Sequence, residues 1–164
     1  MIRTVLLAAA LCLTTIQSAP AADGNSAYID QIGDGNQHSH VQSGADNQIT
    51  TTQNGDFNSA YVEQIGALNI ADQKQTGNGF EARITQNGSG NRAEQVHTGK
   101  DNHAGTSQDG TANSAHQAQG GSDNRALIRQ SGTGNSAFQQ QAGHGNLASI
   151  HQTGSGNRST QTQR

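Results

Sequence analysis

From residue 25 onward, polar and small or apolar side chains alternate inside a frame of eleven, Asn-x-Ala-x-x-x-Gln-x-Gly-x-x, which runs thirteen times without insertion and is truncated only in its last unit. With Asn as position 0, the amide slots are Asn25, Asn36, Asn47, Asn58, Asn69, Asn91, Asn102, Asn113, Asn124, Asn135, Asn146 and Asn157, and Phe80 stands in the remaining slot. Position 6 holds Gln31, Gln42, Gln53, Gln64, Gln75, Gln86, Gln108, Gln119, Gln130, Gln141, Gln152 and Gln163, with His97 as the exception. Position 8 is Gly33, Gly44, Gly55, Gly66, Gly77, Gly88, Gly99, Gly110, Gly121, Gly132, Gly143 and Gly154. A short fixed period of this kind specifies a solenoid or an array.

Eleven is odd, so an uninterrupted strand would turn its side chains to the opposite face at every repeat. The chain must therefore corner once per unit. The corner belongs after Gln, where the position-8 Gly is followed in many units by a second, as in Gly88-Ser89-Gly90. Seven-residue strands such as 25–31 lie between corners, with Asn, Ala, the position-4 residue and Gln sharing one face. Charge decides which face is inside. No Asp, Glu, Lys or Arg occupies position 0, 2, 4, 6 or 8 in any unit. The even face is the buried one.

A further signal doubles the period. Position 4 reads Ile29, Thr51, Gln73, Gln95, Gln117, Gln139, Gln161 in odd-numbered units and His40, Val62, Ile84, Thr106, Ile128, Ile150 in even-numbered ones. Residues 22 apart are thus more alike than neighbouring repeats. The fold expected is all-β: a β-solenoid with two strands per 22-residue coil and cross-β stacking, rising about 4.8 Å per coil to a height of roughly 29 Å. Stacked identical amides donate to one neighbour and accept from the other, so Asn and Gln can be buried at little cost.

Composition supports a ladder-built interior. Hydrophobic residues are 30% and aromatics 3% of the 164, too few for a mixed apolar core. Charged residues at 13% are also too sparse for solvated disorder. A Gly/Asn/Gln-rich disordered segment is the reading that composition alone favours, and the unbroken frame opposes it. Residues 1–21 differ: Arg3 precedes the apolar run 5–13, and Ala19-Pro20-Ala21 offers an A-x-A cleavage site. That is the pattern of a secretory signal, leaving 22–24 as a short leader and 25–164 as the repeat domain. Cys12, the single cysteine, falls inside the signal after Leu11, a poor setting for a lipoprotein site. The repeat domain has no thiol and is net acidic, which gives no sign of a nucleic-acid partner.

Candidate chemistry is thin. Carboxylates are scattered singly over the outer face, without the converging pair or metal that a β-helix hydrolase needs, so the expectation is a non-enzyme with no catalytic residue, cofactor or metal. His38 and His40 share a strand face and could ligate a metal, yet both occupy inward slots and lack a third ligand. They read as packing variants of the Ala and Ile rows. His97, in a Gln slot, is expected to keep a hydrogen bond. Tyr28, Tyr61 and Phe138 point outward. Phe80 interrupts one Asn rung, and Phe80→Asn is expected to speed fibre growth or raise stability. An ice-binding or other surface-binding secreted solenoid is the alternative, although ice binding needs a flat outward Thr array and the outward residues here are mixed.

The first unit begins just after the expected cleavage site and the last simply stops, so coils are expected to add end to end into a fibre. Repeats such as Asn58-Ser59-Ala60-Tyr61-Val62-Glu63-Gln64-Ile65-Gly66 and Asn146-Leu147-Ala148-Ser149-Ile150-His151-Gln152-Thr153-Gly154 closely resemble the curlin repeats of curli fibre subunits, a resemblance covering residues 25–164. It implies a secreted amyloid subunit at the surface of a Gram-negative bacterium, polymerised outside the cell into pilus-like adhesive fibres that serve attachment to host or abiotic surfaces and the biofilm matrix. It also implies an outer-membrane secretion channel and a second curlin subunit as nucleator or elongating partner. The family's Asn and Gln ladders form the fibre core. Only Ala22-Asp23-Gly24 stands where family members carry a longer Gly-rich targeting segment.

Overall fold

The computed structural model describes residues 13–18 and 24–164. The expected signal segment lies outside the described residues apart from 13–18, as do Ala22 and Asp23 of the leader. Fourteen strands follow one another: β1 (Leu13–Ser18), β2 (Ser26–Ile32), β3 (Gln37–Ala45), β4 (Gln48–Asn54), β5 (Ser59–Ala67), β6 (Ile70–Asn78), β7 (Glu81–Ser89), β8 (Arg92–Lys100), β9 (His103–Thr111), β10 (Ser114–Ser122), β11 (Arg125–Thr133), β12 (Ser136–His144), β13 (Leu147–Ser155) and β14 (Arg158–Gln163). Odd-numbered strands form one seven-stranded sheet, here sheet A, and even-numbered strands form a second, sheet B. All pairings are parallel. From β2 onward each residue lies beside the one 22 positions away, as Ala60 beside Ala82 and Gln64 beside Gln86. The chain is an all-β solenoid of 22-residue coils with two strands each. β1 also adds to sheet A, but Leu13 sits beside Gln37, a spacing outside the repeat frame.

The strands are longer than the seven residues expected. Most run nine, from position 1 through position 9, and the position-8 glycines stay in register with their counterparts above and below. The bend there is made inside the ladder. Gly66 and Gly88 have φ of 115° and 116° and remain paired, so the backbone is re-aimed without leaving the sheet. The chain crosses to the other sheet two residues later, at position 10, in the left-handed region. Six non-glycine residues hold that conformation, Asp46, Phe57, Leu68, Asp101, Ala112 and Asp123, with φ between 53° and 59°. For Phe57 and Leu68, both exposed, this costs about 1–2 kcal/mol each.

Between the sheets lies a thin core. Ala rows allow close approach, and the aliphatic position-4 row of sheet A (Val62, Ile84, Ile128, Ile150) packs with Ala27, Ile49, Ala71, Ala93, Ala115 and Ala137 of sheet B in two clusters. Positions 0, 2, 4 and 6 are buried throughout the middle coils, whereas the position-8 glycines, at the bend, are half-buried or exposed. Among the described residues the buried polar side chains, mostly Asn and Gln, outnumber the buried apolar ones. Hydrogen bonding, not hydrophobic volume, has to supply the order.

Candidate functional site

The features that can act on another molecule are the columns of identical side chains running parallel to the coil axis. The Gln column of sheet A is continuous. Nε2 of Gln42, Gln64, Gln86, Gln108 and Gln130 each donates to Oε1 of the Gln one coil on, at 3.1, 2.8, 2.8, 2.8 and 2.8 Å. The same amide nitrogen reaches across the core to the opposite sheet, as Gln86 does to the carbonyl of Ile70 at 3.0 Å. One side chain therefore ties a strand both to the coil beyond and to the facing sheet. In sheet B, Gln31 donates to Gln53 and Gln53 to Gln75 (2.8 Å), while Gln119 donates to Gln141 (2.9 Å) and Gln141 to Gln163 (3.0 Å).

A third Gln column stands at position 4 of sheet B, where five successive odd-numbered units carry Gln. Gln73, Gln95, Gln117 and Gln139 donate in turn to Gln95, Gln117, Gln139 and Gln161 at 3.1, 2.8, 3.0 and 3.2 Å. Thr106, which interrupts the aliphatic row opposite, bonds to both Gln95 and Gln117. The 22-residue recurrence at position 4 was the signal for this column.

Asn side chains hold the edges. Nδ2 of Asn47, Asn69, Asn91, Asn113, Asn135 and Asn157 donates to Oδ1 of the Asn one coil before, and the backbone N–H donates to the same oxygen. Asn also bonds the carbonyl of the bent glycine nineteen residues on, as Asn69 to Gly88 and Asn91 to Gly110, both at 3.0 Å. On the other edge Asn58 takes the N–H of Phe80, and Asn102 that of Asn124. The two columns have opposite sense: Gln donates toward the C-terminal end of the stack and Asn toward the N-terminal end. Each face of a coil thus offers donors in one column and acceptors in the other, complementary to the opposite face of an identical coil.

Two irregularities of the repeat meet in space. Phe80 is 1% exposed, and its ring stands edge-on to His97 with centroids 5.5 Å apart. Neither ring nitrogen of His97 has a hydrogen-bond partner, nor does Oε1 of Gln119, which a Gln at 97 would have served. The expected hydrogen bond of His97 is absent because its ring is turned to the aromatic neighbour. Burial, with the nearby His103 charge, depresses its pKa to about 4. Phe80 and His97 are therefore a matched pair, and Phe80→Asn alone puts an amide against an imidazole. In urea melts the Phe80→Asn/His97→Gln double variant is expected to be more stable than either single variant, with a coupling of about 1–3 kcal/mol. Simple additivity would refute the pairing.

His38 and His40 are buried and face inward, their rings 5.4 Å apart, and Nε2 of His40 lies 2.8 Å from Oγ1 of Thr51. Burial and the adjacent His38 press the His40 pKa down to about 3. Among the described residues no group of three His, Cys, Asp or Glu is placed to hold a metal. Because His40 and His97 are neutral in the fold but take up protons near pH 6.5 once unfolded, stability is full above that pH and is lost as pH falls toward the folded values. Urea midpoints are expected to drop between pH 7 and pH 4. His97→Gln should flatten the slope.

Outward residues form columns as well. Phe138 stacks on His116 at 5.1 Å, and Arg83 lies 4.2 Å over the Tyr61 ring. Tyr28 is 45% exposed. No curated protein sequence matches the chain. The curlin associated repeat matches residues 44–77, 99–132 and 121–154, more than half of the chain and all within the ladder-bearing coils. With the uniform 22-residue register and the amide columns already described, these matches make the chain a member of the curlin repeat family.

Proposed function

We propose that this chain is the structural subunit of an extracellular curli-type amyloid fibre, acting by self-assembly in adhesion and in the biofilm matrix of a Gram-negative bacterium. One observation carries the reading: the contact between consecutive coils is the same from β2 to β14. Whatever holds one coil on the next inside the chain holds equally well between chains, because the exposed edge of a coil offers the same backbone and amide groups. Asn and Gln columns are the binding residues in this reading, and the position-8 glycines shape the bends that let them stack. Residues 1–21 direct export and are removed, freeing the edge of β3 that β1 covers. An outer-membrane channel and a second curlin subunit are the partners this route calls for. An ice-binding role is not favoured, since the outward columns mix aromatic, charged and small residues.

The test is seeded assembly of the secreted chain followed by thioflavin fluorescence. Sonicated fibres of the same chain are expected to abolish the lag, and fibres should grow in length. A chain that stays monomeric at micromolar concentration, with or without seeds, would overturn the proposal.

A further inference from the structure

Charge is segregated along the coil axis. Residues 24–73 carry Asp30, Asp34, Asp46, Asp56, Glu63 and Asp72 and no Lys or Arg, whereas residues 124–164 carry Arg125, Arg129, Arg158 and Arg164 and no Asp or Glu. The middle, 74–123, holds both signs and contains the Lys-acid pair, Lys100 with Asp101 at 3.6 Å. The acidic zone encircles the stack. Asp30 and Asp72 lie on the outer face of sheet B, Glu63 on that of sheet A, and Asp34, Asp46 and Asp56 at the corners. The basic zone spans both sheets, with Arg125 and Arg129 on β11 and Arg158 on β14, and all four of its arginines are exposed. Among the described residues none of these four forms an ion pair.

Resting on the fibre reading above, we infer that the acidic N-terminal coils of one chain dock on the arginine-bearing C-terminal coils of a second copy of this chain, so that charge selects head-to-tail addition before the strand and amide ladders close. Three contacts compete. Head-to-head and tail-to-tail joints bring like charge together, and in the Gln columns they set acceptors against acceptors and donors against donors respectively. Side-by-side antiparallel packing satisfies the charge but leaves the strand edges unpaired, because the lateral faces have already spent their backbone groups within the sheets. Only the head-to-tail joint satisfies charge, amide polarity and strand edges at once. Charges one coil back from a joint are roughly 5–10 Å away, within the Debye length of about 10 Å at 0.1 M salt. Steering of this kind raises association rates by about tenfold or more and is screened by salt.

The experiment measures seeded elongation of the secreted chain at fixed seed number from low to high NaCl. The parent chain is expected to elongate about tenfold more slowly in 0.5 M than in 0.02 M salt. Reversal of one zone uses residue types the chain already carries at the same repeat positions: Arg125→Glu and Arg158→Glu match Glu81, and Arg129→Glu matches Glu63. This triple variant is expected to elongate slowly at low salt and to be accelerated by added salt. Adding Asp30→Lys, Asp34→Lys, Asp56→Lys and Asp72→Arg, which match Lys74, Lys100 (twice) and Arg83, turns residues 24–73 to a net side-chain charge of +2 against −2 for residues 124–164, leaves the Glu63–Arg83 pair in place and should restore rapid low-salt growth. Fibres whose elongation ignores both salt and reversal would overturn the inference while leaving the fibre reading intact, as would salt that changes bundle width alone. A chain that forms no fibre at any salt would overturn both.

Discussion

Gly88→Ala is expected to break the solenoid between β7 and β9, whereas Gly90→Ala, two residues away, should behave nearly as the parent. At Gly88 an added Cβ would lie 2.0 Å from the carbonyl oxygen of Gly110, and φ is 116°, outside the left-handed region that an L-residue tolerates. Both the backbone strain, about 1–3 kcal/mol, and the clash must be relieved by pulling the two coils apart. That separation also removes the Asn91 bond to the Gly110 carbonyl. The total is of the order of 4 kcal/mol or more, enough to stop fibre growth in seeded assays. At Gly90 a Cβ meets nothing within 4 Å, φ is 64°, and the next coil already has Ala112 in that slot at 55°. The expected cost there is about 1–2 kcal/mol, without a clash. Equal effects from the two substitutions would show that the bend is not held between backbones in the way described.

Gln86→Glu tests the ladder itself with almost no change of shape. Gln86 is 0% exposed, accepts from Gln64, and donates to Gln108 and to the carbonyl of Ile70. A carboxylate there keeps the acceptor and loses both donors. It then faces two oxygens in a fully buried site, so at neutral pH the variant should lose several kcal/mol. Burial raises the pKa of the new carboxyl. The deficit is therefore smallest below the unfolded value near 4.3 and reaches its full size only as pH rises through the folded value. Urea midpoints measured against the parent at pH 4 and pH 8 should differ least at pH 4. A deficit independent of pH would place the effect outside the ladder.

The eleven-residue frame, the exclusion of charge from even positions and the doubled pattern at position 4 were enough to specify two parallel sheets and 22-residue coils. What escaped the sequence depends on how the chain bends within a coil. A glycine at position 8 reads as the end of a strand, because positive φ usually breaks pairing; here every coil bends alike, so Gly66 and Gly88 stay paired and the strands run on to position 9. Phe57 and Leu68 gave no warning of a left-handed backbone, since neither has the short polar side chain that eases it. Phe80 and His97 looked like separate lapses, and only the stacking of strands showed that they share one pocket. The second bond of each Gln, across the core to the facing sheet, depends on the distance between sheets, which no spacing along the chain encodes.

The solenoid account makes one demand on the assembled fibre that ordinary amyloid does not. Cryo-electron microscopy of fibres grown from residues 22–164 should show a single polypeptide filling successive layers about 4.8 Å apart, with residue 64 above or below residues 42 and 86. The Asn and Gln columns should pass unbroken from one subunit into the next. Layers each occupied by a different molecule, with every residue stacked on its own copy, would contradict the account.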